Sequence, residues 1–491
     1  MPEKALLEGF QRVANVSING YGRAALKDTY TDGQRRSGAL IGKKIYYQSL
    51  GCKVNSYETD ALRTLFEAEG FVTTNEPSEC DVWVINTCTV TAEADRKSGQ
   101  MLRRAAKLAP QAIIAAMGCR TQMRRQSDCA DICVGTSDRN SLVDRVIARM
   151  AESEGAGYYR YTVEGSTLSD DRSSSSDSTT EQKKYEEFGP VISREGTRAF
   201  VKIQDGCDHF CSYCIIPYAR GRARSRTPPE ILREIRKLGD SGYSEIVLTG
   251  INLSSFGKDL GNGEEPLERL LSEIDRIESV RRIRLGSIEP NMITDRFVCA
   301  LAGTGKFCRH LHVSLQSGSD TVLKRMNRKY RTTDFMGAVE RLRARMPDIS
   351  LTTDIIVGFP AETEEEHRES LLFCERIGFS KIHVFPYSLR SDTVAATMKP
   401  QIDPATKSRR KSEFLKLSQS LFARSAARMI GKSACVFVET SEKSGAFSGY
   451  SRDYFRVRFT SLQAIRAGRE VCVRITGVEK EALIGEATDC L

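Results

Sequence analysis

Cys207, Cys211 and Cys214 stand in a CxxxCxxC pattern within GCDHFCSYC, directly after an apolar stretch that reads as a strand. Thiolates so close in sequence turn toward one point, and three rather than four is the informative number. A four-iron cluster held by three cysteines keeps one iron without a protein ligand, open to a reactive cofactor. A zinc site completed by His209 is the competing reading, although a ring two positions from Cys207 strains that geometry. Three unconnected core thiols suit this loop poorly, because it is polar and flanked by glycine.

A second set is dispersed: Cys52 in GCKVNSYE, Cys88 in NTCTV and Cys119 in MGCR. Each follows a predicted strand. The carboxyl ends of neighbouring parallel strands lie side by side, so three distant thiols can converge on one crevice. The plainer alternative is that strand-end cysteines are small core residues. The other nine of the 15 cysteines, Cys80, Cys129, Cys133, Cys299, Cys308, Cys374, Cys435, Cys472 and Cys490, show no comparable arrangement and read as core or surface.

The elements that must position these thiols follow from periodicity. From Lys44 the pattern is β-α-β, with strands over 45–50, 82–86 and 112–117 and helices over 57–69 and 94–108, which implies an α/β, doubly wound parallel sheet. Between 165 and 184 ten of twenty residues are Ser or Thr, too polar to fold, so this is a linker. Six further strands are expected at 199–203, 245–249, 282–286, 310–315, 351–357 and 381–385, separated by helices such as 229–241, 267–278, 332–344 and 364–377. That succession is a partial (β/α)6 barrel, whose chemistry belongs at the strands' carboxyl ends. A basic helix over 406–430 precedes short strands at 433–439, 454–459 and 470–476, the pattern of a small β-barrel. The expected units are an extension over 1–43, a first domain over 44–150, a linker over 151–192, a barrel over 193–430 and a terminal β-barrel over 431–491.

Composition bounds the function. Hydrophobic residues at 40% and charged residues at 28% are ordinary globular usage, and no apolar run approaches the length of a membrane span. The first residues lack the apolar core of a secretory signal, so a cytoplasmic, reducing location is expected, where clustered cysteines point to metal or catalysis rather than disulfides. A net charge of +9, from 73 basic and 64 acidic residues, permits a polyanionic partner. The alternating Arg220, Arg222, Arg224 and Arg226, and the run containing Arg328 and Lys329, are the candidate phosphate contacts. His310, His312 and His383 sit in apolar strands and read as packed or hydrogen-bonded rings.

The segment GCDHFCSYCIIPYARGRARSR resembles the cluster loop of radical S-adenosylmethionine enzymes, specifically the methylthiotransferases. The resemblance implies a 4Fe-4S cluster on Cys207, Cys211 and Cys214 whose open iron binds S-adenosylmethionine, with Tyr213 near the adenine. GCxxNxxE, NTC and GC resemble the three segments that hold a second 4Fe-4S cluster, on Cys52, Cys88 and Cys119, from which sulfur is delivered. Gly250, Asn252, Glu289, Gln316 and Asp354 fall in the motifs that face the cofactor in that family. No catalytic residue is implied beyond the cluster ligands. FSGYSRDYFRVRF and VRITGVEKEALIGEA resemble the TRAM domain, an RNA-binding barrel. GCKVNxYE, TGINL, SIEPN and KRMNRKY resemble the subgroup that converts N6-threonylcarbamoyladenosine at tRNA position 37 to its 2-methylthio form. The partners implied are tRNA, a reducing electron donor and an unspecified sulfur donor. Enzymes acting on isopentenyladenosine or on a ribosomal protein are the alternatives. A non-catalytic, metal-stabilised RNA-binding protein is the alternative of another class. The segment 386–393 departs from the family pattern in lacking its usual Pro and Gly.

Overall fold

The computed structural model describes residues 41–124, 129–153, 184–191, 196–261, 266–441 and 445–488. Residues 1–40 of the expected extension, and most of the expected linker, lie outside the described residues. The first unit is a parallel sheet in the order β2-β1-β3-β4-β5, with β1 at Lys44–Ser49, β2 at Val72–Thr73, β3 at Val82–Thr87, β4 at Ile113–Gly118 and β5 at Ile132–Cys133. All six residues of β3 are buried, as the continuous apolar run of a central parallel strand requires. Helices Lys53–Ala68, Ala92–Leu108, Cys119–Arg124 and Ser141–Ser153 accompany the sheet. The first begins at Lys53 rather than at 57, because Cys52 itself is the extended residue that starts it. A helix N-terminus therefore abuts a candidate ligand.

Six parallel strands follow in the second unit: β6 at Ala199–Asp205, β8 at Glu245–Gly250, β9 at Arg282–Leu285, β10 at His310–His312, β11 at Ser350–Val357 and β12 at Lys381–Pro386. Strand β7, Arg224–Ser225, pairs antiparallel with β6 at the sheet's edge. Isolated bridges join β9 and β10 through Ile283 with Phe307 and Ile288 with Val313, so the six strands curve round as the partial barrel expected. Inside, one continuous core runs from Val201 and Ile246 to Leu351 and Ile382. Helix Glu364–Ile377 matches its expected bounds, since a Thr363/Glu366 capping box starts it and the left-handed Gly378 ends it.

Helix Pro404–Ala427 lies on β12, where Ser418 Oγ accepts the Ile382 N–H at 3.0 Å. It leads into a closed barrel in the order β13-β14-β15-β17-β16. Its strands are β13 at Ser433–Ser441, β14 at Ala446–Ser451, β15 at Arg456–Thr460, β16 at Glu470–Glu479 and β17 at Ala482–Ala487. Five strands replace the three expected. Arg284, the third residue of β9, docks this barrel by donating to the Ser451 carbonyl at 2.7 Å and the Arg452 carbonyl at 3.1 Å.

A buried set of charges joins the first two units. Glu58 and Arg139 come from the first, Lys202, Asp205, Arg220 and Arg224 from the second. Arg220 Nη1 lies 2.8 Å from Glu58 and 3.0 Å from Asp205, and Lys202 Nζ lies 2.7 Å from both carboxylates. Glu186, on the stretch leading into the barrel, closes the set against Arg139 at 2.5 Å. Burial pushes the Glu58 carboxyl up, but Arg139, Arg220 and Lys202 more than offset it and hold it at about 2. Removing one member uncovers its partners, so Glu58→Gln should lower the stability of the purified protein in urea by about 3–5 kcal/mol. Because the folded pKa lies below the ordinary 4.5, this contribution is complete above that value and disappears as pH falls toward 2. The variant should therefore lose less stability than the native protein between those two pH values; equal loss would remove Glu58 from the junction's electrostatics.

Candidate active site at two cysteine triads

Register brings the first triad together. Thr87 pairs with Gly118, so Cys88 and Cys119 leave the sheet at the same level. Ser49 pairs with Asn86, which brings the turn carrying Cys52 alongside. Gly118 must be glycine: its φ is 101°, and a Cβ would meet Asn86 Oδ1 and the Thr87 carbonyl at 2.5 Å. Asn55 braces the turn, its Nδ2 donating to the Leu50 carbonyl at 2.7 Å and the Thr87 carbonyl at 3.2 Å. The three thiols act on one another electrostatically.

The second triad leaves the end of β6. Gln204 organises the loop, donating from Nε2 to the Asp205 and Gly206 carbonyls at 2.8 Å and accepting the Asn252 N–H at 2.7 Å. Gly206 has φ 71°, and a Cβ there would lie 1.9 Å from the Arg222 carbonyl. Asn252 Nδ2 stands 3.7 Å from Cys207 Sγ. Arg328 Nη1 donates to Cys211 Sγ at 3.2 Å and Nη2 to Glu289 at 3.0 Å, while His209 Nδ1 meets Glu289 at 3.1 Å. The His209 ring is thus engaged by Glu289.

The triads are linked by six residues. Helix Ile216–Arg220 follows Cys214, and its last residue donates from Nε to Cys119 Sγ of the other triad at 3.2 Å. Each triad therefore offers three sulfurs and one buried arginine aimed at a sulfur. The junction's four cations, Arg139, Lys202, Arg220 and Arg224, face three carboxylates, Glu58, Asp205 and Glu186, and a thiolate at Cys119 would balance them. This donor set suits an anionic iron-sulfur cluster at each triad.

A cavity of about 1240 Å³ is lined by Cys52, alone of the six cysteines, and by Ile216, two residues past Cys214. Cys52, Lys53 and Val90 of the first unit line it, with Ile216, Gly250 and Asp354 of the barrel and Tyr450 and Tyr454 of the last unit. Asp354 is held by His312 Nε2 at 3.2 Å. His310 and His312 each meet Thr352 Oγ1 at 3.0 Å, hydrogen-bonded as expected yet also facing the cavity. Of the cofactor candidates, Asn252 and Glu289 gather at the second triad, and Gly250 and Asp354 at the cavity. Tyr213 packs edge-on against Phe359 with centroids 6.4 Å apart. Gln316, with φ 71°, bridges to Ile355.

The basic runs need correction. Arg220, Arg224 and Arg226 are buried in ion pairs, Arg226 with Glu187 and Glu234, and Arg328 is committed to Glu289 and Cys211. These four cannot reach a phosphate without breaking buried pairs. Arg222 and Lys329 remain exposed. The sequence reading missed Lys53, Arg198, Arg284 and Tyr454 at the cavity; the alternation of RIRL in β9, placing both arginines on one face, was the available signal for Arg284.

Residues 201–374 match the radical SAM superfamily and residues 44–133 match the Uncharacterized protein family UPF0004. The fold resembles the radical S-adenosylmethionine methyltransferase TsrM from Kitasatospora setae, with TM-score 0.51 and 17% identity over 72% of this chain and 74% of that one. Fold and site therefore define a radical S-adenosylmethionine enzyme with an added amino-terminal sheet and carboxy-terminal barrel. The chain is 38% identical to the threonylcarbamoyladenosine tRNA methylthiotransferase MtaB of Bacillus subtilis, over 88% of this chain and 93% of that protein. It is 32% identical to the tRNA-2-methylthio-N(6)-dimethylallyladenosine synthase of Thermoanaerobacter pseudethanolicus, over 92% and 94%. It belongs to the radical S-adenosylmethionine tRNA methylthiotransferase family.

Burial pushes the Cys119 thiol up to about 11 and, joined by the neighbouring Cys211, the Cys214 thiol up to about 12. In the metal-free protein both are neutral at pH 7, and cluster assembly must release their protons. Iodoacetamide should then label Cys119 and Cys214 far more slowly than the exposed Cys299, with rates still rising beyond pH 9. Peptide mass spectrometry reads this directly, and rapid labelling of Cys119 at pH 7 would contradict the geometry.

Proposed function

We propose that the enzyme converts N6-threonylcarbamoyladenosine at position 37 of tRNA to its 2-methylthio derivative. Cys207, Cys211 and Cys214 hold the cluster that binds S-adenosylmethionine, and Cys52, Cys88 and Cys119 hold a second 4Fe-4S cluster. The observation that carries this reading is that Arg220, six residues past Cys214, donates to Cys119 of the other triad, with a cavity lined by Cys52 and Ile216 that is large enough for a modified nucleoside beside a cofactor. The choice of base is supported by the higher identity to the relative named for threonylcarbamoyladenosine, 38% against 32%, and by the GCKVNSYE, TGINL and SIEPN segments.

When bound, the cluster with S-adenosylmethionine supplies a one-electron cleavage that yields a hydrogen-abstracting 5'-deoxyadenosyl radical. The protein's part is positional. Arg328 and Asn252 donate to the second triad's sulfurs, Glu289 is fixed between His209 and Arg328, and the cavity walls hold water away from the reacting carbon. Asn252, Glu289, Gly250 and Asp354 are proposed to border the cofactor, with Tyr213 and Gln316 supporting from the strand-end loops. The last barrel is a TRAM-like RNA grip, with Arg456, Arg458 and Lys480 at the cavity mouth and Arg222 and Lys329 further out. A cytoplasmic setting, an external reductant and a sulfur source belong to the same proposal. Among the described residues no helix is long and apolar enough to cross a membrane.

Deleting the gene should remove 2-methylthio-N6-threonylcarbamoyladenosine from digested total tRNA, and restoring it should return that nucleoside, both read by mass spectrometry. An unchanged nucleoside profile would overturn the proposal. With reconstituted protein, Cys211→Ala should abolish cleavage of S-adenosylmethionine to 5'-deoxyadenosine and remove roughly half the iron. The triple Cys52, Cys88, Cys119→Ala variant should retain cleavage and transfer nothing; full transfer would remove the second cluster from the reaction.

A further inference from the structure

We infer that Lys53 reads the carboxylate of the substrate's N6 side chain and so sets which modified adenosine the cavity accepts. This rests on the proposed substrate, whose threonylcarbamoyl group ends in a carboxylate where a dimethylallyl group ends in branched hydrocarbon.

The cavity's cations divide by whether they already have an anion. Arg198 meets Glu439 at 2.9 Å, Arg284 meets Glu245 at 2.7 Å, Lys381 meets Glu481 at 2.8 Å and Arg458 meets Glu479 at 3.3 Å. Lys53, Arg456 and Lys480 have no carboxylate ion pair among the described residues, and of these three Lys53 is the one beside Cys52. Tyr454 acts favourably on its charge while Arg198 and Arg284 oppose it, and it acts on the rings of His310 and His383. Of the cavity's acids, Asp354 is held by His312, and Asp453 is drawn to Arg284 and Arg309. With two arginines opposing its charge and no carboxylate answering them, the Lys53 ammonium gains from an anion that enters the cavity.

Position makes the arrangement selective. The backbone of Lys53 begins the helix braced by Asn55, so the root of its side chain is fixed relative to the first triad. Tyr454 is equally fixed: its ring stacks between His310 at 4.6 Å and Tyr450 at 4.8 Å, on a residue with φ 67°. A threonylcarbamoyl carboxylate entering between them gains a charge-assisted hydrogen bond from Lys53. A hydrocarbon tail in the same place would desolvate Lys53 and give it nothing, the kind of mismatch by which a polar site rejects an analogue lacking its partner group.

The test measures binding of anticodon stem-loops to the reconstituted enzyme, one carrying threonylcarbamoyladenosine as the free acid and one as its methyl ester. The native enzyme should bind the acid roughly tenfold or more tightly than the ester. Lys53→Gln should erase that preference by weakening the acid alone, and Lys53→Arg should restore most of it, with iron content checking that each variant folds and loads. Equal weakening of acid and ester by Lys53→Gln would mean that Lys53 acts only through the fold or the neighbouring cysteine, and would overturn the inference. If the native enzyme methylthiolates threonylcarbamoyladenosine yet binds acid and ester alike, the inference fails while the proposed function stands. If it instead modifies only dimethylallyladenosine, both fall together.

Discussion

The relation between the two cysteine triads depends on Arg220. Its guanidinium reaches Cys119 from the far side of the junction, and it is held by Glu58, Asp205 and Asn55. Charges taken out of water in this way contribute little net stability, but each becomes expensive to uncover. The consequence is geometric. With Glu58 on the helix that starts at Cys52 and Asp205 two residues before Cys207, any shift of the first sheet against the barrel breaks several charged hydrogen bonds at once. The network therefore fixes the two sets of thiols to each other more tightly than an apolar contact of similar area, which could slide.

Two further contacts close the cavity around that fixed pair. The loop after β12 crosses to the first unit, where Ser388 Oγ accepts the Ala92 N–H at 3.0 Å and Arg390 Nη2 donates to Thr89 Oγ1 at 2.5 Å. This is the segment over 386–393 that departs from the family's usual Pro and Gly, and here it clamps the residues just past Cys88. On the other side the terminal barrel is pinned through Arg198 and Arg284, whose charges are satisfied by Glu439 and Glu245. Tyr454 is thereby carried into the cavity as part of its wall. In the RNA-binding role proposed for it, a module tied so rigidly to the barrel turns whatever it holds toward the site.

The strand-end positions of the cysteines were legible because they follow from local pattern. Thr87 and Gly118 face each other in the sheet, so the dispersed thiols at 88 and 119 had to meet once the parallel order was inferred. The basic run was misleading for the opposite reason. Arg220, Arg224 and Arg226 look like a solvated, phosphate-seeking face until their carboxylates are located, and Glu58 is 162 residues from Arg220 in the chain. No window of sequence contains that pair. The terminal barrel sits between these cases. Its first, third and fourth strands alternate clearly, whereas AFSGYS and ALIGEA are short, carry a glycine mid-strand and hide their periodicity.

The same accounting explains why both thiol-facing arginines are paired. Arg220 donates to Cys119 while bound to Glu58 and Asp205, and Arg328 donates to Cys211 while bound to Glu289. A lone buried guanidinium would place a full positive charge against the sulfur and favour the more reduced, more negative state of any cluster there. With a carboxylate on its other edge the guanidinium still gives a directed N–H, but its field at a distance is largely cancelled. The protein thus separates orientation of the sulfurs from electrostatic bias on them. Lys53 is the exception: it stands beside the first triad with no carboxylate of its own, so an anion brought in by substrate changes the local field at the moment the site is filled.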